Sequence, residues 1–276
     1  MAHPLRSLIA ACHPGPVVAV TTIATLLAVA LDATVGTVVL VCVTFFVGQL
    51  SIGWSNDWID AERDAAAGRA DKPVAVGAVS TGQARAAAVI AAAATVPLSL
   101  AMGWLAGASH LVLVAAGWAY NAGLKATVWS WAPYFLAFGL LPAVVVLAAT
   151  DDHTWPPLWM MAAGGLLGVG AHLLNVLPDL EDDQLTGVRG LPHRLGRSRA
   201  GVLAPVVLVV ASVLVVAGPA GDMGRAGVGA LLFTAGVAAV AAVASVTGRR
   251  LLALAATATV AVADVALLVS GGALVG

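Results

Sequence analysis

The side chains in this sequence that are best suited to chemistry are carboxylates grouped in two short segments. The first segment is NDWIDAERD, residues 56–64, and the second is NVLPDLEDD, residues 175–183. In the first, Asp57, Asp60 and Asp64 are spaced so that they lie along one face of a helix. Ligand sets made only of oxygen favour a hard cation such as Mg²⁺, which usually keeps several waters and binds substrate phosphates. The two segments therefore predict Mg²⁺-dependent chemistry on a phosphorylated substrate.

The two segments are copies of one longer pattern. An offset of 119 residues pairs four polar positions: Asn56 with Asn175, Asp60 with Asp179, Glu62 with Glu181 and Asp64 with Asp183. The match continues through two glycines and a proline, so both segments read N-x3-D-x-E-x-D-x3-G-x4-P-x3-G. A shared pattern of this length is too long for coincidence. The chain therefore contains an internal duplication.

Long apolar runs must position these acids. Hydrophobic residues make up 61% of the 276 residues and charged residues only 10%, against about 25% charged residues in soluble domains. Nine runs are close to the ~20 residues that cross a bilayer as a helix. They cover residues 16–31, 35–55, 83–103, 107–122, 131–149, 157–177, 199–217, 226–246 and 249–270. The sequence thus predicts an all-α integral membrane protein with nine transmembrane helices.

The basic residues predict how these helices are oriented. If all nine runs span the membrane, twelve of the thirteen Lys and Arg residues fall on one side, and only Arg225 falls on the other. The positive-inside rule makes the first side cytoplasmic, so we expect a multi-pass plasma-membrane protein with its N-terminus inside and its C-terminus outside. Four spans separate the two acidic segments, which makes the four-helix repeats parallel. The net charge of −1, without a dense basic patch, argues against nucleic acid as a partner.

Other polar residues near the acids are candidates for binding a substrate. Basic residues in the same loops can contact phosphate oxygens that the cation leaves open; these are Arg69, Lys72, Arg189 and Arg194. Candidates for a substrate cavity share a helix face with the acids or close a span near them; these are Gln49, Tyr120, Asn121, His172 and Asn175. Each also has a structural explanation, either as a helix residue bonded to neighbouring backbone or as an anchor at the membrane interface.

Three further features complete these expectations. Residues 4–11 are expected to form a short interfacial helix that the sequence HPGP breaks before the first span. Glu62, Glu181 and Asp182 are expected to face solvent or to support the metal ligands. Asp264, within the last span, is expected to cap a helix or to contact the lipid interface.

Both acidic segments resemble the signatures of one family. NDWIDAERD is similar to the NDxxDxxxD motif, and DLEDD to the DxxxD motif, of the UbiA superfamily of intramembrane prenyltransferases. KPVAVG, after the first motif, stands where relatives show RPLxxG. The resemblance covers the whole chain as one domain, residues 1–276, with motif loops at residues 55–82 and 175–198. It implies a helical bundle around a central cavity that opens toward the cytoplasm and the lipid.

The resemblance also implies roles for individual residues. One Mg²⁺, with the diphosphate of an isoprenyl donor, would be bound by Asn56, Asp57, Asp60 and Asp64. A second Mg²⁺ would be bound by Asp179 and Asp183, and the five aspartates would be the catalytic residues. Lys125, in YNAGLK, resembles the family's basic residue after the fourth helix and would contact the diphosphate.

Two positions depart from the pattern of the family. Lys72 stands where relatives usually carry Arg, which keeps the charge but loses bidentate geometry. Pro178 stands where quinone-pathway relatives often carry Arg, which weakens an assignment to the naphthoate branch.

The expected activity is Mg²⁺-dependent transfer of an isoprenyl chain from a polyprenyl diphosphate to a small lipophilic or aromatic acceptor that resembles a quinone precursor. The first alternative is a terpene cyclase of the same superfamily. A cyclase needs aromatic side chains to stabilise migrating charge, and only 5% of the residues are aromatic. A second alternative is a cation or lipid carrier without chemistry. Its ligands should lie at the midplane of the membrane on broken helices, whereas these acids follow the ends of apolar runs.

Overall fold

A computed structural model describes residues 4–150, 154–180, 183, 187–219 and 224–272. Over these residues the chain forms helices and no strand. The α-helices are α1 (Pro4–Ala11), α2 (Pro14–Ala30), α3 (Val35–Ala66), α4 (Thr81–Ala101), α5 (Trp104–Asn121), α6 (Ala132–Ala149), α7 (Leu158–Val176), α8 (Leu191–Leu195), α9 (Arg197–Ala217), α10 (Arg225–Val246) and α11 (Arg250–Gly272). A short 3₁₀ turn covers Leu124–Ala126. The predicted all-helical class is confirmed.

The nine predicted spans each coincide with a long helix in the described part of the chain. Seven of these helices are long and apolar enough to cross a membrane. The two others are α2, which has only 17 residues, and α5, which carries several polar side chains. A chain with several membrane-spanning helices is therefore shown, while the count of nine crossings remains a prediction.

The duplication extends over four helices. After a shift of 119 residues, α2, α3, α4 and α5 begin within four residues of α6, α7, α9 and α10. The proline in the first turn of α2, Pro14, has its counterpart in Pro133 of α6. The repeat noticed in the acidic segments is therefore a repeat of helices as well.

The chain divides into two compact units, and the first consists of residues 1–123 and 144–153. In this unit α3 packs against α2, α4 and α5. Thr34 caps the start of α3 by accepting a hydrogen bond from the Thr37 amide, and Ser80 with Gln83 forms a capping box at the start of α4. With 32 residues, α3 is about 48 Å long, well beyond the ~30 Å of a bilayer core. Its last turns can therefore leave the hydrocarbon, and these turns carry the first acidic segment.

The junction between α1 and α2 is pressed against α3. The predicted helix at residues 4–11 is confirmed, and His13, which follows it, has a left-handed backbone with φ of 57°. Gly53 of α3 meets the Cys12 carbonyl so closely that no β-carbon would fit between them. The indole of Trp54 donates a hydrogen bond to the Leu8 carbonyl at 2.9 Å. These two contacts hold the junction at a defined height on α3.

The second unit consists of residues 124–143 and 154–276. Here α7 and α6 approach closely because Gly164 and Gly168 present no side chains, a small-residue spacing typical of membrane helices. A β-carbon on Gly164 would lie 2.5 Å from the Phe138 carbonyl oxygen. Around this pair, α9 packs against α7, α10 and α11.

Asp264 lies inside the second unit, and the expectation of a cap or a lipid-interface contact was wrong. Its side chain is fully buried in α11 and accepts a hydrogen bond from Ser212 of α9. A carboxyl group facing hydrocarbon is costly, so burial against a hydroxyl on the neighbouring helix is the cheaper arrangement.

Candidate active site

The first acidic segment is entirely helical. Asp57, Asp60 and Asp64 lie on the last turns of α3, as predicted, and all three side chains are buried. The predicted motif loop was wrong over residues 55–66, which continue the helix. The helix continues because the first glycine in this region is Gly68, where φ becomes positive. The acids are therefore displayed on a rigid element.

Asp57 is held by two nitrogen-bearing side chains. Lys72 Nζ donates to Asp57 Oδ1 at 2.7 Å, and His13 Nε2 lies 2.8 Å from the same oxygen. The two nitrogens are 2.9 Å apart. The other oxygen, Asp57 Oδ2, is buried and has no hydrogen-bond partner. A predicted diphosphate ligand, Lys72, is thus in contact with a predicted metal ligand.

The other two aspartates share one guanidinium. Arg63 Nη2 lies 2.8 Å from Asp60 Oδ2 and 3.6 Å from Asp64 Oδ1. Because Arg63 is three residues from Asp60 on the same helix, the contact follows from helix geometry. The exposed Glu62 between them points away, in agreement with the expectation that it faces solvent. Positive side chains of the protein itself therefore compensate much of the negative charge of this segment.

Asn56 is fixed by the end of α5. Its amide donates to Asn121 Oδ1 at 3.1 Å, and the Asn121 amide donates in turn to Ser55 Oγ at 2.8 Å and to the Ile52 carbonyl at 2.9 Å. Lys72 also approaches Asn56 Oδ1 at 3.4 Å. Asn121, a predicted cavity residue, thus orients a predicted metal ligand.

Two other cavity candidates, Gln49 and Tyr120, belong to the same unit. Gln49 is buried on α3, on the face of Asn56, and Tyr120 is half-buried in the last turn of α5. Their roles in binding a substrate remain predictions.

Arg69 has a partner close by in sequence. It forms a bidentate pair with Asp71, at 3.0 Å from Nε and 2.9 Å from Nη2. The hydrogen bonds from Arg69 hold the pKa of the Asp71 carboxyl below its usual value, at about 2. This pair is accessible to solvent, so a competing diphosphate could exchange with Asp71 at little cost.

The second acidic segment lies beyond the end of its helix. α7 ends at Val176, and Arg197 Nη1 donates to the Leu177 carbonyl at 2.6 Å, a favourable position for a cation at a helix C-terminus. Asp179 and Asp183 follow, joined by a backbone hydrogen bond of 2.9 Å. Glu181 and Asp182 lie outside the described residues.

Several neighbours of these acids were predicted, and one was not. Asp183 Oδ2 lies 3.4 Å from His193 Nε2. The predicted Asn175, Arg189 and Arg194 are exposed, and the Arg194 guanidinium donates to the Arg189 carbonyl at 3.0 Å.

His172 is anchored by a side chain and not by neighbouring backbone. Its Nε2 lies 3.1 Å from Ser130 Oγ, and its ring lies 4.9 Å from the ring of Tyr134. Ser130 Oγ also accepts a hydrogen bond from the Leu191 amide at 3.0 Å. The hydroxyl proton is then available for His172, which makes Nε2 the acceptor. Ser130 therefore ties α7 to the loop that carries Arg189 and Arg194.

Lys125 is held close to the same loop. It lies in the 3₁₀ turn and is only 8% exposed. Gly190 packs against this turn, and a β-carbon there would lie 2.5 Å from the Lys125 carbonyl oxygen and 2.8 Å from Ser130 Oγ. The fold thus brings the predicted basic residue next to the loop of the second acidic segment.

Sequence patterns did not reveal four residues of these two clusters: His13, Arg63, Ser130 and His193. Arg63 and His193 lie inside the two motif segments, so their position could have drawn attention. His13 and Ser130 are distant in sequence from the acids they support, and only the packed structure connects them.

The residues present fit a hard divalent cation. Asp57 offers a buried, unbonded oxygen next to further carboxylates, and the donors are all oxygen. Over the described ranges, no three His, Cys, Asp or Glu side chains form a ready-made metal cluster. Mg²⁺ does not need one, because it usually binds one or two carboxylates together with waters and substrate phosphates.

Two curated proteins are similar in sequence. The 33 kDa chain of bacteriochlorophyll synthase from Cereibacter sphaeroides is 34% identical over 184 residues, which are 61% of this chain and 59% of the relative. The lycopene elongase/hydratase of Halobacterium salinarum is 36% identical over 61 residues, 22% of each chain. The match therefore spans less than two thirds of either relative.

Solved structures and a family model extend the likeness to nearly the whole chain. The structure of a UbiA homolog from Archaeoglobus fulgidus bound to GPP and Mg²⁺ has a TM-score of 0.71 at 15% identity, covering 96% of this chain and 99% of that one. At this identity the likeness shows the fold. The model of the UbiA prenyltransferase family matches residues 17–272. The chain therefore belongs to the UbiA prenyltransferase family.

Proposed function

We propose that this protein transfers an isoprenyl chain from a polyprenyl diphosphate to a small lipophilic or aromatic acceptor, with Mg²⁺ as the cofactor. The observation that carries the proposal is the buried end of α3. There Asp57 keeps one oxygen unbonded while Lys72 and Arg63 hold the surrounding carboxylates. Family membership and the archaeal relative bound to GPP and Mg²⁺ support the same chemistry.

The two clusters have separate tasks in this proposal. Asn56, Asp57, Asp60 and Asp64 hold one Mg²⁺ with the donor diphosphate, and Asp179 and Asp183 hold the other. Bound Mg²⁺ would supply charge neutralisation for the departing diphosphate.

The basic side chains complete the binding of the leaving group. Lys125 is suited to a fixed contact with phosphate oxygens because it is buried and packed near Gly190. Arg69, Arg189 and Arg194 lie at accessible positions, where they can close on the diphosphate after it binds.

The reaction needs no strong base from the protein. The bond between C1 of the donor and the bridging oxygen breaks, and its electron pair leaves with the diphosphate. An electron-rich carbon of the acceptor bonds to C1, and the proton lost from that carbon is taken by the diphosphate. The task of the side chains is to bind, orient and stabilise the leaving group.

The class of acceptor can be narrowed by charge. All thirteen Lys and Arg residues lie outside or at the ends of the apolar runs, so an aromatic acid would have to place its carboxylate at one end of the helices. Lys125 is the most buried of these cations over the described residues. The named relatives act, by their names, in bacteriochlorophyll and lycopene chemistry, so uncharged acceptors belong in the test beside aromatic acids.

The deciding experiment uses purified protein in detergent or lipid with Mg²⁺ and geranyl, farnesyl or geranylgeranyl diphosphate. Each donor is offered first alone, then with aromatic acids, a chlorophyllide or a carotenoid. Diphosphate release and products are followed by mass spectrometry, with an EDTA-treated sample as control. Release that requires one acceptor supports the transferase. Cyclic products without acceptor would indicate the cyclase, and no release with any donor would leave only the carrier.

A further inference from the structure

The contact between His13, Asp57 and Lys72, here called the Asp57 triad, joins three elements of the first unit. His13 lies between α1 and α2, Asp57 lies on α3, and Lys72 lies in the loop after α3. Their polar atoms form a triangle with sides of 2.7, 2.8 and 2.9 Å. Asp57 is only 1% exposed, so its carboxylate depends on these two side chains for hydrogen bonds.

The triad leaves Asp57 with two unlike oxygens. Oδ1 takes the contacts with His13 and Lys72, while Oδ2 is buried without a hydrogen-bond partner. Buried polar atoms are nearly always bonded, and an exception points to an atom or ion that is bound there. A carboxylate held at one oxygen can rotate little, so the direction of Oδ2 is fixed by the contacts of Oδ1.

The backbone places His13 for this contact. A left-handed conformation is uncommon for residues other than glycine, and it marks sites that the surrounding structure over-determines. Gly53 and Trp54 fasten the segment on either side of the helix junction to α3. The imidazole is therefore delivered to Asp57 from a rigid support, although it is itself 34% exposed.

The second repeat lacks all three members of the triad. At the offset of 119 residues, His13 corresponds to Ala132, Asp57 to Val176 and Lys72 to Leu191. The other metal-ligand positions Asn56, Asp60 and Asp64 keep identical residues in the second copy. Three positions far apart in sequence thus change together from polar to apolar, which indicates that they act as one unit.

We propose that His13 is a positioning residue that acts, together with Lys72, on Asp57 Oδ1 and so directs Asp57 Oδ2 toward the divalent cation of the first repeat. This inference rests on the proposed function, because it requires that a cation is bound there. His13 itself does not contact the cation or the substrate. Residues that orient a metal ligand typically change metal affinity 10- to 100-fold when they are replaced.

The test measures binding of Mn²⁺ as a probe, by electron paramagnetic resonance, with and without inorganic diphosphate. Two replacements separate the roles of the side chain and the backbone. In His13→Gln the amide nitrogen can reach Asp57 in place of Nε2. In His13→Asn the residue tolerates the left-handed backbone, but its amide is too short to reach. Arg6→Ala, on the exposed side of α1, serves as a matched control.

We expect His13→Ala and His13→Asn to weaken one Mn²⁺ site about 10-fold or more, while His13→Gln and Arg6→Ala stay within about threefold of the wild type. The remaining site should be unchanged in every variant, because the second repeat has no triad. Circular dichroism without metal checks that each variant is folded.

Three outcomes would overturn this inference. Wild-type affinity at both sites in His13→Ala would show that Asp57 does not need the imidazole. Strong binding in His13→Asn with weak binding in His13→Gln would show that only the backbone matters. Absence of any Mn²⁺ binding by the wild type would instead remove the proposed function, and the inference with it.

Discussion

The two acidic segments share a pattern but differ in how they are held. In the first repeat the acids lie on a continuous helix, each buried and close to a cation from the protein. In the second, α7 ends before the acids, and Asp183 and its neighbours lie on the following segment near exposed arginines. Pro178 and the apolar Val176 stand where the first repeat has Ile59 and Asp57. A duplicated motif can therefore keep its ligands while the support around them diverges.

This difference suggests that the first cluster is organised before a cation binds and that the second is organised around it. Preorganised ligands reduce the free energy needed to assemble a site. The comparison can be tested at both clusters, and the expected effects range from loss of turnover to almost none.

The largest effect should come from removing one acid in either repeat. Asp60→Ala and Asp183→Ala should each lower donor turnover by at least about 10³-fold, because Mg²⁺-diphosphate loses a ligand. Both variants should still fold in detergent, since like charges are removed. Turnover is measured by diphosphate release, and Glu62→Gln, exposed on the same helix, is the control expected to match the wild type. Retained turnover in either alanine variant would contradict the mechanism.

The next effect concerns the buried ion pair of the first repeat. Lys72→Leu should destabilise the protein by about 3 kcal/mol, because it leaves the Asp57 carboxylate without its ammonium partner. The double variant Asp57→Val with Lys72→Leu copies the second repeat and should recover most of that loss, yet remain inactive. Thermal unfolding in detergent measures both. A double variant less stable than the single one would mean that the two repeats do not pack alike here.

A smaller effect is expected at the hydroxyl that secures the second loop. Ser130→Ala removes the acceptor of the Leu191 amide and the contact with His172, which should cost about 1–3 kcal/mol. Hydrogen exchange should become faster in residues 187–196. Ser198→Ala, at an exposed position, should change stability by less than about 0.5 kcal/mol. Equal exchange in the two variants would show that Ser130 does not hold this loop.

The smallest effect should follow from replacing Asp71. Asp71→Asn frees Arg69 from an exposed pair and should change the KM for the donor by less than about threefold. The hydrogen bonds from Arg69 lower the pKa of Asp71 to about 2. The contribution of the pair is therefore complete above the ordinary pKa and is lost as the pH falls toward 2. The ratio of KM between variant and wild type should stay constant from pH 5 to 9, and a ratio that changes in this range would refute the assignment.

The sequence predicted the parts of this protein that depend on local pattern. Apolar runs located the long helices, and the spacing of Asp57, Asp60 and Asp64 located the acids on the last turns of α3. It did not predict that His13 would reach Asp57, because that contact depends on a left-handed turn and on the missing side chain of Gly53. It also misplaced Asp264, since the partner hydroxyl on α9 is 52 positions away. Contacts between helices are set by packing, which local periodicity does not describe.

The junction at Gly53 has a consequence for how the protein is made. His13, Asp57 and Lys72 all lie within the first 72 residues of the chain. Every contact that holds the first cluster can therefore form as soon as α3 and its following loop leave the insertion machinery, before the second copy has been synthesised. The second cluster is equally local, because its contacts connect residues between Lys125 and Arg197. Gene duplication thus copied a segment that carries its own order of assembly, in which each half builds its ligand framework in turn during synthesis.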